Sequence, residues 1–290
     1  MSMGRIVDLP NRGRLIVATD LQGNLHDFLR IAQVFEQKRA EDDATYLVLT
    51  GDLVHGPELL PEEWPEHLGS YYVGASAAVL EHARALQERH PGHVCYLLGN
   101  HEHAHVGGPV VGKFFTDEAG RLEEIMGPDR SGEMRAWMST WPLVVVAARA
   151  QICMLHAAPH AAIRSRDDVE SVDLGGLVGL EPSEVPSRSI LGAILWARTT
   201  SRDRARAFLR ALGPTLTTAI YGHDVVREGY AVEDPTRICV SSSFGCHDGD
   251  KLYVEWDLSE PAISAFDVAR RGLRRLWPDA APVYLDETLR

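Results

Sequence analysis

Short apolar runs, each closed by a polar glycine-containing turn, dominate the first hundred residues. Residues 14–19 (RLIVAT) are apolar and β-branched and stop at the polar turn 20–24, the pattern of a buried strand feeding a loop. Phe28, Ile31, Ala32 and Phe35 then recur at helical spacing, with Asp27 in the first turn where the helix dipole favours an acid. Residues 45–50 (TYLVLT) predict a second buried strand, ending at Gly51 and Asp52. A Pro/Glu/Trp-rich stretch between Gly56 and Gly74 has little periodicity. Residues 75–90 predict a helix with Val79, Ala83 and Leu86 on one face, stopped by Pro91 and Gly92. Residues 94–98 predict a third strand, ending at Gly99, Asn100, His101 and Glu102.

Beyond residue 130 the pattern changes. Residues 134–140 predict a short helix, and the apolar runs 143–148 and 151–155 are close enough to form a hairpin. Residues 202–212 are amphipathic and helical, while 217–221, 237–240 and 252–256 predict late strands. Strand–helix units come first and mostly strands follow, which suggests a mixed sheet or two packed sheets with outer helices rather than a doubly wound parallel fold. No repeat or clear linker interrupts the chain. It is therefore expected to form one domain over residues 1–290, with a core over about 14–257 and an appended tail over 258–290.

Composition narrows the class. The chain of 290 residues is 45% hydrophobic and 24% charged, an ordinary globular balance able to bury a sizeable core. Lys and Arg number 29 against 41 Asp and Glu, a net charge of −12 that argues against general nucleic-acid binding. An acidic surface still accommodates an anion where bound cations dominate the local field. Cys95, Cys153, Cys239 and Cys246 show no paired spacing and are expected as buried reduced thiols. The N-terminus lacks the apolar core of a signal peptide, and no apolar stretch approaches membrane-spanning length. A cytoplasmic, non-membrane protein is expected.

The candidate chemistry sits in five loops that each follow an apolar strand: Asp20/Gln22/Asn24, Gly51/Asp52, Asn100/His101/Glu102, His156, and Gly222/His223/Asp224. Strand ends are rigid platforms, and neighbouring strands bring their terminal loops together. Carboxylate and amide oxygens with imidazole nitrogens suit divalent first-row metals. Taken alone, each loop reads as a turn, a helix cap or a satisfied histidine. Gly99–Glu102 is the most specific of them, and the five in this order are hard to explain on structural grounds.

This order of loops resembles that of the calcineurin-like metallophosphoesterases. It is most similar to their phosphoprotein phosphatase branch, which includes bacterial and phage serine/threonine phosphatases and symmetrical dinucleoside tetraphosphatases. Residues 20–29, Trp141 to Leu143, Leu155 to Pro159, and Leu195 to Arg198 extend the likeness, which covers about residues 14–257. Related phosphodiesterases carry Asp at the position of Glu102 and a second His shortly after His223, where this chain has Asp224 and Val225. The resemblance implies an α+β fold, a four-layer αββα sandwich of two mixed sheets flanked by helices. It also implies two divalent cations, one held by Asp20, Gln22 and Asp52 and the other by Asp52, Asn100, His156 and His223. Asp52 would bridge ions about 3.5–4 Å apart, with a bridging hydroxide for in-line attack on phosphorus. His101 would protonate the leaving oxygen and Arg198 would clamp the phosphate, although a surface salt bridge explains Arg198 equally well.

Three departures bear on function. Gln22 stands where the family usually has His. Its amide oxygen is a harder, weaker ligand that favours Mn²⁺, with Mg²⁺, Fe and Zn²⁺ as alternatives. His55 stands where the family has the Asp that orients the catalytic imidazole, or is instead a substitute metal ligand or a loop residue, and the phosphate-binding Arg that usually follows is absent. His101 is therefore expected to be a weaker acid unless Asp224 or another carboxylate assists it. The interval from Asp52 to Asn100 is long, with the excess in 57–74. There Trp64, Tyr71 and Tyr72 form either a substrate-facing flap or an ordinary packed loop. His103 and His105 either line the site or are loop residues. The expected activity is hydrolysis of a phosphomonoester on a protein Ser/Thr or a small molecule. The alternatives are a dinucleoside polyphosphate hydrolase and, from another class, a catalytically degraded metal-binding interaction module. The expected partner is a phosphorylated substrate, and oligomeric state is left open.

Overall fold

The computed structural model describes residues 4–66, 69–243 and 249–284. The apolar runs assemble into two sheets. One has six strands in the order β1 (Ile6–Asp8), β5 (Val144–Ala147), β6 (Ile152–Leu155), β7 (Thr218–Tyr221), β9 (Arg237–Val240) and β8 (Tyr230–Asp234). The other has five, in the order β11 (Leu273–Arg275), β10 (Leu252–Asp257), β2 (Arg14–Ala18), β3 (Thr45–Leu49) and β4 (Val94–Tyr96). Among the described residues ten helices join them: α1 (Leu25–Glu41), α2 (Ser76–Arg89), α3 (Asn100–His103), α4 (Glu118–Met126), α5 (Pro128–Met138), α6 (Asp167–Glu170), α7 (Val185–Arg188), α8 (Ile190–Trp196), α9 (Arg202–Leu212) and α10 (Ala265–Gly272).

Both faces of the central strands are covered, which is why their sequences are continuously apolar rather than alternating. Along β2, Leu15 and Val17 join Val145, Ile152, Met154 and Ile220 in the layer between the sheets. The intervening Ile16 and Ala18 join Phe28, Ile31 and Phe35 of α1 on the outer face. On the other sheet, Cys153 and Leu155 pack with the layer that contains Phe208, Leu209 and Leu212 of α9. The result is the helix–sheet–sheet–helix sandwich. The predicted hairpin is the antiparallel pair β5–β6.

Two parallel sets aim their loops at one place. Strands β2, β3 and β4 run parallel in one sheet, and β6, β7 and β9 run parallel in the other. Every candidate loop leaves the C-terminal end of one of these strands. The first passes directly into α1, whose N-cap Asn24 accepts from Asp27 N at 3.0 Å.

Of the appended tail expected after Asp257, the described residues 258–284 are built into the body, and 285–290 lie outside the described residues. Ala265 and Val268 of α10 are fully buried, and β11 pairs antiparallel with β10. Trp277 stacks on His26 at 4.4 Å and donates to the buried Asp27 at 2.8 Å. At the other end β1, ahead of residue 14, pairs with β5. Cys95, Cys153 and Cys239 are buried free thiols, and Cys246 lies outside the described residues. Among the described residues, no helix is long and apolar enough to cross a membrane.

Candidate metal centre

The backbone is strained where the loops meet. Six described non-glycine residues have positive φ, and five are Asp20, Gln22, Asp52, His55 and His223. Such conformations cost about 1–3 kcal/mol each and persist only where their surroundings enforce them. Gly51 has φ 103° and lies so close to Gly99 that an added Cβ would come within 2.6 Å of its Cα. The second and third loops therefore touch backbone to backbone.

Glu102 fastens these two loops together. Its buried carboxylate accepts from the main-chain nitrogens of Asp52 at 2.8 Å, Leu53 at 2.7 Å, Val54 at 3.3 Å and Gly99 at 3.1 Å. Burial and the neighbouring Asp52 raise its pKa to about 7. Its place in the sequence motif suggested a chemical role, whereas its contacts are those of a staple.

One group of donors converges without protons to share. His156 Nδ1 lies 2.9 Å from the Thr50 carbonyl, so Nδ1 carries the hydrogen and Nε2 presents a lone pair. That Nε2 faces Asn100 Oδ1 at 2.8 Å, His223 Nδ1 at 3.1 Å and Asp52 Oδ1 at 3.5 Å. His223 Nδ1 is itself 3.0 Å from Asn100 Oδ1. At most the His223 proton is available to reconcile these acceptors, and a cation among them would reconcile all four. Burial keeps both imidazoles neutral: His156 is lowered to about 4, and His223 is held well below its ordinary value by burial and by His156.

A second, oxygen-rich group adjoins it. Asp20 accepts through both oxygens from His223 N, at 3.0 and 2.9 Å. Gln22 Nε2 donates to Asp52 Oδ2 at 3.0 Å, while Gln22 Oε1 is buried without a partner. Burial raises the pKa of Asp52 to about 7 and, together with Asp52, raises that of Asp20. Two adjacent buried carboxylates and an orphaned amide oxygen are what a hard divalent cation would satisfy. The chain thus brings together Asp20, Gln22, Asp52, Asn100, His156 and His223, and their donor chemistry fits two cations.

His101 faces the same floor and is supported from behind by histidines. Its main-chain N donates to Asp52 Oδ1 at 3.1 Å, and its Nε2 lies 3.9 Å from Asp52 Oδ2. Its Nδ1 is 3.0 Å from His55 Nδ1; His55 Nε2 is 2.9 Å from His105 Nε2; His105 Nδ1 is 2.9 Å from Glu123 Oε1. Glu123 also pairs with Arg135. A carboxylate at the end fixes the direction of the chain. His105 donates to Glu123, His55 donates to His105, and His55 Nδ1 is left to accept from His101. Burial lowers the pKa of all three rings, with His55 and Lys113 adding to the effect at His101. On the Nδ1 side of His101 the nearby carboxylate is Glu118, whose Oε2 lies 3.6 Å away. Asp224, the candidate helper from sequence, is instead paired with Arg198. His103 sits apart, its Nε2 on the Leu174 carbonyl at 2.8 Å.

These groups floor a pocket of about 350 Å³. Arg198, Asp224, Trp196 and Pro182 line it, and so do Val111, Gly112 and Lys113 from an extended loop. Lys113 was not singled out from sequence, where a lone lysine in a glycine-rich loop carries no signal. Partial loss of solvent lowers its pKa to about 8, against the pull of Asp52 and Glu118. The described residues of the 57–74 stretch do not line this pocket. Its Trp64 packs edge-on against Tyr71 and Tyr72, and Tyr72 donates to the Gln22 carbonyl at 2.9 Å. The aromatics buttress the first loop from outside.

Comparison with known proteins agrees with this architecture. The family model described as calcineurin-like phosphoesterase matches residues 13–227. A protein serine/threonine phosphatase from Saccharomyces cerevisiae, described as similar to human phosphatase PP5, superposes with a TM-score of 0.55 at 17% identity, over 87% of this chain and 76% of that one. A cold-active protein tyrosine phosphatase gives 0.56 at 14% identity, over 90% and 82%. The cold-active protein-tyrosine phosphatase of a psychrophilic Shewanella species gives 0.54 at 13% identity, over 89% and 78%. At these identities the likeness establishes the fold. No curated protein sequence matches the chain.

Proposed function

We propose that this chain, which belongs to the calcineurin-like phosphoesterase family, removes phosphate from a phosphomonoester held over Asp52 between Arg198 and Lys113. As a family member it is a phosphoester hydrolase with a phosphorylated substrate and a dinuclear divalent metal centre. The observation that carries the finer reading is the pocket itself, a metal-competent floor with one cationic side chain from each of two loops in its lining. A terminal phosphate presents two negative charges to such a lining, whereas an internal phosphoanhydride, as in a dinucleoside polyphosphate, presents one per phosphorus.

Asp52 belongs to both ligand groups and would be shared between the cations. When bound, these would supply the Lewis acidity that activates the attacking water and neutralises the phosphate oxygens. The oxygen-rich set of Asp20, Gln22 and Asp52 supports Mn²⁺ as one of the ions. Arg198, oriented by Asp224, presents its planar fork to the phosphate, and Lys113 adds the charge that the missing arginine would have brought. His101 delivers a proton to the leaving oxygen from Nε2. Because the histidine chain points its hydrogens toward Glu123, neutral His101 carries its proton on Nδ1, and Nε2 is loaded only in the imidazolium form. Burial opposes that form, with His55 and Lys113 adding to it, and Glu118 Oε2, 3.6 Å from Nδ1, is the carboxylate placed to offset it. Continuity of the two sheets from β1 to β11 supports a single domain, and the three buried thiols support a reducing, cytoplasmic location.

The test is a panel of p-nitrophenyl phosphate, phosphoserine, phosphothreonine and phosphotyrosine peptides, and diadenosine tetraphosphate, assayed with the metal-stripped protein reconstituted in Mn²⁺. Turnover of the monoesters is expected. Turnover of the tetraphosphate alone would replace this reading with the anhydride one, and metal binding without any turnover would leave an interaction module.

A further inference from the structure

His55 and Glu118 lie behind the catalytic floor, joined to it through His101, whose Nδ1 side faces them and whose Nε2 side faces Asp52. His55 Nδ1 and His101 Nδ1 are 3.0 Å apart, and Glu118 Oε2 lies 3.9 Å from the first and 3.6 Å from the second. The nearest point equidistant from three atoms so spaced lies in their plane, about 2.1 Å from each, the bond length of zinc to imidazole nitrogen and carboxylate oxygen. All three side chains are buried, and Glu118 Oε2 has no hydrogen-bond partner. The other Glu118 oxygen accepts from Phe114 N at 2.9 Å, which aims the free one inward.

The supporting contacts are those that metal-binding histidines need. His55 Nδ1 is obliged to present a lone pair, because its Nε2 hydrogen is committed to His105 and through it to Glu123. Such outer partners fix the tautomer and raise ligand basicity. His101 Nδ1 becomes the second nitrogen ligand once its hydrogen moves to Nε2, on the side of Asp52. The space between the two rings therefore holds either one proton or one cation.

We propose that His55, His101 and Glu118 form a third cation site, separate from the dinuclear pair, which takes a borderline ion such as Zn²⁺. Two nitrogens and one oxygen leave a fourth position open for water. The dinuclear set, with its extra carboxylate and amide oxygens, favours harder ions. The two centres thus differ in metal preference.

Cobalt(II) tests this directly, because four-coordinate Co²⁺ absorbs visible light far more strongly than its five- or six-coordinate forms. Metal-stripped wild type titrated with Co²⁺ is expected to bind three equivalents, one with an intense visible band. Glu118→Gln should lose that equivalent and the band while keeping two. Asp52→Asn should lose the dinuclear pair while keeping the band, so a failure of the dinuclear reading would leave this signal intact. His55→Gln serves as the second variant, with a thermal melt confirming that each is folded. Saturation of wild type at two equivalents without the band would overturn the proposal. So would an unchanged band in Glu118→Gln and His55→Gln, or loss of the band in Asp52→Asn.

Discussion

The Gln22 carboxamide nitrogen donates to Asp52 Oδ2 across 3.0 Å, which leaves Gln22 Oε1 buried and unpartnered. An unsatisfied buried acceptor costs about 1–3 kcal/mol, so this oxygen is poised for a hard cation. Gln22→Ala should weaken binding of one Mn²⁺ by at least about tenfold, since even an outer-sphere loss has that scale. Gln22→His should shift the preference of that position from Mn²⁺ toward Zn²⁺. Metal content after dialysis against each ion reads both changes. Equal Mn²⁺ retention in wild type and Gln22→Ala would remove Gln22 from the ligand set.

Metal affinity should follow the carboxylates in pH, not the histidines. An exposed histidine competes for protons near 6.5, but burial lowers His156 to about 4, so it is a ready ligand throughout the neutral range. Asp52 is raised to about 7 in the metal-free protein. Below that value a cation must displace a proton, and above it the carboxylate is already charged. Mn²⁺ affinity is therefore expected to fall about tenfold per unit as pH drops below 7, and to level off above it. Competitive titration between pH 5.5 and 8.5 checks this. A flat profile through 7 would show that Asp52 is charged before metal arrives.

Glu102→Gln isolates the staple. Gln keeps one acceptor oxygen in place of two charged ones, while Asp52, Leu53 and Gly99 all present buried main-chain hydrogens there. Bonds to a charged partner contribute about 1.5–3 kcal/mol each. A loss of about 2–4 kcal/mol in unfolding free energy is expected, together with weaker metal binding, because both strained loops lose their anchor. Denaturant unfolding of the metal-free protein separates the two effects. Full stability with full metal affinity would contradict this account.

Much of the fold and of the convergent loops was legible because each ligand follows a buried apolar run, and the pattern of β2, β3, β4, β6 and β7 announces where the chain turns. Other parts had no local signal. The all-apolar α8 is buried around its whole circumference and shows no amphipathic period. The edge strands β8 and β11 are short, and half-buried or charged. The support of His101 was hidden for a different reason. His55 and His105 could be seen as histidines near the motifs, but the carboxylates that orient them, Glu118 and Glu123, lie on a helix that only the tertiary fold brings there. Lys113 and Asp224 show the same limit, since their neighbours across the pocket are remote in sequence.

Lys113 should set an alkaline limit on the free enzyme. In the metal-free protein loss of solvent brings its pKa down to about 8 against the pull of Asp52 and Asp20, and cations on those carboxylates lower it further, so about 8 is the upper bound for the loss of its charge. If it grips the phosphate, kcat/KM for a dianionic monoester falls with rising pH at or below about 8. Lys113→Arg keeps its charge far above that pH and should carry the plateau upward. Lys113→Ala should weaken binding of inorganic phosphate by about 10–100-fold, the range of one lost charge-assisted hydrogen bond, with metal content unchanged. Arg198→Ala should act in the same direction and additionally release Asp224. Phosphate inhibition constants and pH profiles for the Mn²⁺-loaded variants separate these roles. An alkaline limb at or below about 8 that survives in Lys113→Arg belongs to another group, and would leave Arg198 as the phosphate's side-chain cation in this pocket.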